Sequence, residues 1–125
     1  MEYGGIVMAR RPDGALERDI LTVLWSARRP LLPAEVKERL GADLAYTSVA
    51  TVLGRLHAKG LIRRAAAGRA FTYEPAIDEA DLAARRIKDV LTSATDRVAV
   101  LAGFVGSLSR REVKTLRSLL EDRDR

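Results

Sequence analysis

Apolar residues recur at helical spacing through ALERDILTVLWSARR, where Leu16, Ile20, Leu21, Val23, Leu24 and Trp25 predict a first helix that ends before Pro30, with Trp25 in the core. A shorter helix follows in PLLPAEVKERLGADL: Pro33 suits a first helical position, Glu35 sits in the first turn, Val36 and Leu40 face inward, and Gly41 stops it. The third helix is AYTSVATVLGRLHAKG. At ~100° per residue, Val52, Leu53 and Leu56 fall within about 60° of Val49 and form a buried stripe. Thr47, Thr51, Gly54 and Ala58 lie opposite. After Gly60 the pattern changes to alternation. LIRRAAAGRAFTYEP predicts two short strands turning around Ala67 and Gly68, with Phe71 and Tyr73 on one face of the second.

From Asp78 onward the pattern is helical again. Asp78 and Asp81 resemble an N-terminal capping pair, and Leu82, Ile87, Val90 and Leu91 follow at helical spacings. Val98, Leu101, Phe104, Val105 and Leu108 predict a strongly apolar helix, and Ser109 with Glu112 forms a capping box before Val113, Leu116, Leu119 and Leu120. Three helices and a basic hairpin predict a winged helix-turn-helix. The fold class expected is therefore mainly α: a winged-helix DNA-binding domain over residues 14–76, then dimerisation helices over residues 77–125. Residues 1–13 lack periodicity and read as a loose tail in which Arg10 and Arg11 could otherwise track a minor groove. The C-terminal apolar faces have little domain to bury them, which predicts pairing with a second copy.

Composition narrows the chemistry. At 125 residues and 13.7 kDa the chain buries only a modest core. It has no cysteine and a single histidine, His57, which excludes disulfides, thiolate sites and imidazole clusters, so no metal and no cofactor is expected. His57 reads as a surface or wing-packing residue. No apolar run reaches the ~20 residues of a membrane span, and no apolar signal core precedes the early arginines, so a cytoplasmic protein without membrane insertion is expected. With no histidine pair, no glycine-rich phosphate loop and no plausible acid pair, an enzyme is not expected.

The net charge of +5 is concentrated. Residues 46–75 carry Arg55, Lys59, Arg63, Arg64 and Arg69 against the single Glu74, whereas residues 76–125 are close to balanced. The exposed face of the third helix is also short and hydroxylated where a solvated helix would carry Glu and Lys, and short hydroxyls suit a major groove. A winged helix used as a protein-protein interaction module is the alternative. It would not need this much positive charge.

The segments LERDILTVLW, PAEVKERL, LAYTSVATVLGRLHAKGLIRR and GRAFTYEP resemble, in order and spacing, the penicillinase-repressor family that includes BlaI, MecI and the copper-responsive CopY repressors. The likeness is densest at Tyr46, Thr47, Ser48, Val49, Thr51, Leu53, Arg55, Leu56, Lys59 and Gly60, with Ser48 where the family usually has Thr. The resemblance implies a homodimeric repressor on a palindromic operator of TACA and TGTA half-sites, controlling a β-lactam-response or related stress operon. It assigns double-stranded DNA to Tyr46, Thr47, Ser48, Thr51, Arg55, Lys59, Arg63, Arg64 and Arg69. Tyr46 could instead pack on the first helix, and Lys59 and Arg64 could be solubilising. The pairing residues expected are Leu82, Ile87, Leu91, Leu101, Phe104, Val105, Leu108, Val113, Leu116 and Leu120. Staphylococcal members are cut at an Asn-Phe bond after a membrane sensor signals. Gly103-Phe104 aligns there and is the candidate cleavage bond for a sensor-linked protease, although Phe104 reads first as dimer core. The copper mechanism needs a cysteine cluster this chain lacks.

Overall fold

In a computed structural model, residues 14–41 and 43–125 are described, so the expectations placed on residues 1–13, Arg10 and Arg11 included, lie outside the described residues. Along the chain run α1 (Ala15–Ala27), α2 (Pro33–Leu40), α3 (Tyr46–Ala58), β1 (Ile62–Ala67), β2 (Ala70–Pro75), α4 (Glu79–Ser93), α5 (Arg97–Gly106) and α6 (Arg110–Arg123). One compact unit ends at Leu82 and a second spans Ala83–Arg125, so the boundary falls within α4.

In the first unit, α1, α2 and α3 pack on one another because each carries its apolar residues on one side. Ile20, Leu21 and Leu24 of α1, Val36 of α2, and Val49, Leu53 and Leu56 of α3 are essentially inaccessible to solvent. Burying each such side chain stabilises the fold by about 1.5–3 kcal/mol before conformational entropy is subtracted. Leu31, Val52, Ile62, Tyr73 and Leu82 complete the cluster, with Trp25 half-buried against it. The Trp25 indole N–H donates to the Ile77 carbonyl at 2.9 Å, so the one polar atom of that large ring is satisfied while the ring packs.

The strands pair antiparallel in the register Ile62↔Pro75, Arg64↔Tyr73 and Ala67↔Ala70, which leaves Gly68 and Arg69 as a two-residue turn. Gly68 has φ of 63°, the left-handed value that the first central residue of a type II′ hairpin requires. Leu31 adds a one-residue third strand: its N–H donates to Tyr73 O at 2.9 Å and its carbonyl accepts from Tyr73 N at 2.8 Å. This ties the root of the hairpin to the segment between α1 and α2.

α3 ends in a tight reversal. Gly60 takes φ of 77°, the Leu61 N–H donates to Leu56 O, and the Gly60 N–H donates to His57 O, both at 3.0 Å. This is a Schellman closure, and it turns the chain directly from α3 into β1. A side chain at position 60 would have to adopt the left-handed conformation that only glycine takes cheaply.

In the second unit the helix starts are set by side chains. Asp78 Oδ1 accepts from Asp81 N at 2.8 Å, and Asp96 Oδ1 accepts from Ala99 N at 3.0 Å. Ser109 and Glu112 form the expected reciprocal box, at 2.9 and 3.1 Å. The apolar helix is shorter than the sequence pattern suggests. It stops at Gly106, and Leu108 lies in the turn before α6.

Candidate nucleic-acid interface

α3 presents two faces made from one short sequence. Val49, Val52, Leu53 and Leu56 go inward, and Tyr46, Thr47, Ser48, Thr51, Gly54, Arg55 and Ala58 remain exposed. The outward surface carries no bulky aliphatic side chain that would hold another surface away. Leu16 of α1 borders it, and with Thr47, Ser48, Thr51, Val52 and Arg55 it lines a shallow cleft of about 260 Å³. The N-cap of α3 is Ala45, with no side-chain cap, in contrast to the capped starts of α4, α5 and α6. Uncapped N–H groups at a helix start are favourable partners for an anion. Tyr46, which the sequence left between packing on α1 and facing outward, is 50% exposed.

The basic residues fall into two groups. Lys59 Nζ donates to both carboxylate oxygens of Glu17 at 2.8 and 3.0 Å, and Arg63 pairs across the hairpin with Glu74 at 3.3 Å. Arg64 lies over the Phe71 ring, 4.3 Å from its centroid, an arrangement that fixes a planar cation by its attraction to the π face. Arg55 and Arg69 have no ion-pair partner among the described residues. Arg69 occupies the hairpin turn itself. Two residues important to this arrangement were not selected by sequence reasoning. Glu17 is 42 positions from Lys59, beyond any local spacing rule. Phe71 was recognised by its alternation with Tyr73, but its stacking on Arg64 depends on the diagonal geometry of the paired strands.

Two carboxyls have lowered pKa values. Glu35 is held below its ordinary value chiefly by the hydrogen bond from the Arg29 guanidinium at 2.9 Å, and then by the Leu32 N–H. Glu112 is lowered first by the Ser109 N–H and then by the Ser109 hydroxyl. Both are helix-start carboxylates and lie outside the exposed face of α3. Among the described residues no cluster of potential metal ligands occurs, and no helix is long and apolar enough to cross a membrane.

The expected pairing residues are distributed unevenly. Ile87, Leu101, Phe104, Val105 and Leu120 are between about 43% and 54% exposed, and Leu91, Leu108, Val113 and Leu116 are half-buried. Ile87, Val90 and Leu91 of α4 and Val100, Leu101 and Phe104 of α5 line an apolar cleft of about 240 Å³. Leu82 departs from the expectation. At 6% exposure it belongs to the core of the first unit, because the first turn of α4 is still packed there. Gly103 and Phe104, the candidate cleavage bond, lie inside α5.

Three packed helices with an arginine-bearing hairpin define a winged helix-turn-helix. The solved hsRosR-S4 complex has the same fold: it superposes with a TM-score of 0.50 at 21% identity, covering 86% of this chain and 95% of that one. Residues 14–122 match the penicillinase repressor family, and the chain belongs to that family. It is 39% identical over 114 residues to the transcriptional regulator BlaI of Mycobacterium tuberculosis, strains CDC 1551 and H37Rv, covering 87% of this chain and 83% of the relative. The solution structure of the DNA-binding domain of the repressor BlaI is 29% identical, covering 58% of this chain and 88% of that one at a TM-score of 0.48. The protein is accordingly a transcriptional repressor of the BlaI type, and not an enzyme.

Proposed function

We propose that the protein is a cytoplasmic homodimer that places α3 of each protomer in the major groove of a promoter operator and excludes transcription there. Residues 14–76 serve as the DNA-binding domain and residues 77–125 as the dimerisation region. The observation that carries this reading is the outward face of α3: Thr47, Ser48 and Thr51 are exposed, short and hydroxylated, and the start of the helix is uncapped. In the bound state Thr47, Ser48, Thr51 and Arg55 meet base edges and phosphates, and Tyr46 and the uncapped N–H groups meet phosphate. The hairpin follows the backbone beside them with Arg64 and Arg69. Arg63, shared with Glu74, stiffens it.

A two-fold dimer requires half-sites about 34 Å apart or a multiple of it, which suits a TACA/TGTA dyad upstream of a β-lactam-response or related stress operon. The exposed apolar side chains of α4, α5 and α6 supply the pairing surface. Release by a sensor-linked protease would act at Gly103-Phe104. Gly103 lowers the helix propensity of α5 by about 1 kcal/mol relative to alanine, and cleavage there would interrupt α5 and detach Phe104 from the apolar cleft.

Fluorescence anisotropy with a TACA/TGTA dyad and with scrambled DNA, each at two salt concentrations, tests the proposal. Dyad binding about a thousandfold tighter than scrambled, weakening steeply with salt, is the expected result. Equal affinity for both DNAs would remove the operator assignment. Binding to neither would remove the DNA reading and favour a protein partner.

A further inference from the structure

The geometry points to Lys59 as a positioning residue that sets the seating of α3 through Glu17, rather than as a contact to DNA phosphate; this rests on the reading of α3 as the recognition helix. Lys59 is the C-cap residue of α3 and Glu17 lies in the first turn of α1. A cation at a helix C-terminus and an anion at a helix N-terminus each sit at the end their helix dipole favours. The ammonium reaches both carboxylate oxygens, at 2.8 and 3.0 Å, and the Glu17 side chain retains only 15% of its exposure.

Moving Lys59 to a phosphate would strand that largely desolvated carboxylate without its partner, beside the polyanion that DNA brings. Arg55 and Arg69 carry no such cost, because no carboxylate of the described chain holds them. The pair also acts at a sensitive place. Leu16, adjacent to Glu17, lines the same cleft as Thr47, Ser48, Thr51 and Arg55. A tether between the start of α1 and the end of α3 therefore controls the roll of the reading face against the rest of the domain.

Ordinary electrostatics gives the opposite sign from positioning, which makes the inference sharp. If Glu17 merely neutralised a nearby lysine, removing its charge would free Lys59 and strengthen DNA binding. If the pair seats α3, removing either partner weakens it.

The experiment compares the full-length wild type with E17Q, K59M, the double variant and K59R for dyad binding across a salt series, with circular dichroism confirming the fold of each. E17Q and K59M are each expected to weaken dyad binding about threefold to tenfold, and the double variant no more than either single one. K59R restores binding to near the wild-type level. The slope of log K against log salt stays within about 0.3 per protomer of the wild type for K59M, since no phosphate contact is lost. The inference is overturned if E17Q binds as tightly as the wild type or tighter, or if K59M lowers that slope by about 0.9 per protomer. Failure of the wild type to prefer the dyad would overturn the DNA reading itself, a result separate from either of these.

Discussion

Replacing Thr51 by Glu separates what α3 needs to fold from what it needs to bind. Thr51 is exposed, and four residues on is Arg55, also exposed and without an ion-pair partner among the described residues. Glu is a better helix former than Thr by roughly 0.3–0.5 kcal/mol, and an i,i+4 pair with Arg55 adds about 0.3–0.5 kcal/mol. The variant is therefore expected to melt higher than the wild type, by about 3–6 °C for a domain of this size. DNA binding moves the other way. A carboxylate about 6 Å from a phosphate at an effective dielectric near 20 costs about 3 kcal/mol, roughly a hundredfold per half-site, and Arg55 is drawn off the DNA as well. Circular dichroism melts give the first quantity and anisotropy against the dyad gives the second. T51Q, which keeps the length without the charge, separates repulsion from shape. A variant that melts higher and still binds the dyad like the wild type would refute the placement of this face in a groove. A lower melting temperature would show instead that the Thr51 hydroxyl stabilises the helix.

Phe71→Leu removes the ring under Arg64 at an exposed position. It should weaken dyad binding by about twofold to fivefold in the anisotropy assay while leaving the melting temperature nearly unchanged, and an unaltered affinity would count against Arg64 as a backbone contact. Leu101→Asp places a charge in the apolar cleft of α4 and α5. Sedimentation should show a monomer whose winged domain stays folded, and an undisturbed dimer would mean that this cleft is not the pairing surface. Glu112→Gln tests the box that starts α6. The folded carboxyl titrates below its ordinary value of 4.5, so its contribution is complete above that pH and is lost as pH falls through the lower folded value. The variant should melt lower than the wild type near neutral pH and converge with it once the pH has fallen below the lowered folded value, and a difference independent of pH would exclude the charge as the cause.

The first unit was largely legible in the chain because its signals are local. Pro33 and Gly41 delimit α2, and the stripe of Val49, Val52, Leu53 and Leu56 orients α3; in the second unit Ser109 with Glu112 starts α6 in the same local way. In each case a few adjacent residues decide the outcome. Leu82 misled for the opposite reason. Its helical spacing matches Ile87 and Leu91, and periodicity cannot tell which body a helical face packs against when one helix spans two of them. The helix predicted to run through Leu108 was cut short after Gly106, where the chain turns into the Ser109 cap. Among the cations, spacing placed Arg55, Lys59, Arg63, Arg64 and Arg69 in one basic segment. Only the three-dimensional contacts separate the two held by Glu17 and Glu74 from the others.

The two units differ in how they are stabilised, and that difference bears on regulation. The first has its own core, in which eight large side chains are essentially inaccessible to solvent. In Ala83–Arg125 no side chain is fully buried: Ile87, Val90, Val98, Leu119 and Leu120 remain more than half exposed, and the most covered residues are only half-buried. Helices with this little internal packing gain little from burial to offset the conformational entropy of ordering them. On the proposed homodimer, that deficit is met by the second copy, so the folding of residues 83–125 and the pairing of protomers become one equilibrium that depends on protein concentration. The winged domain needs no such help. A signal that breaks α5 would therefore leave a folded but monomeric DNA-binding domain. Its affinity for one half-site, deprived of the effective concentration supplied by the partner, would be too weak to hold the operator.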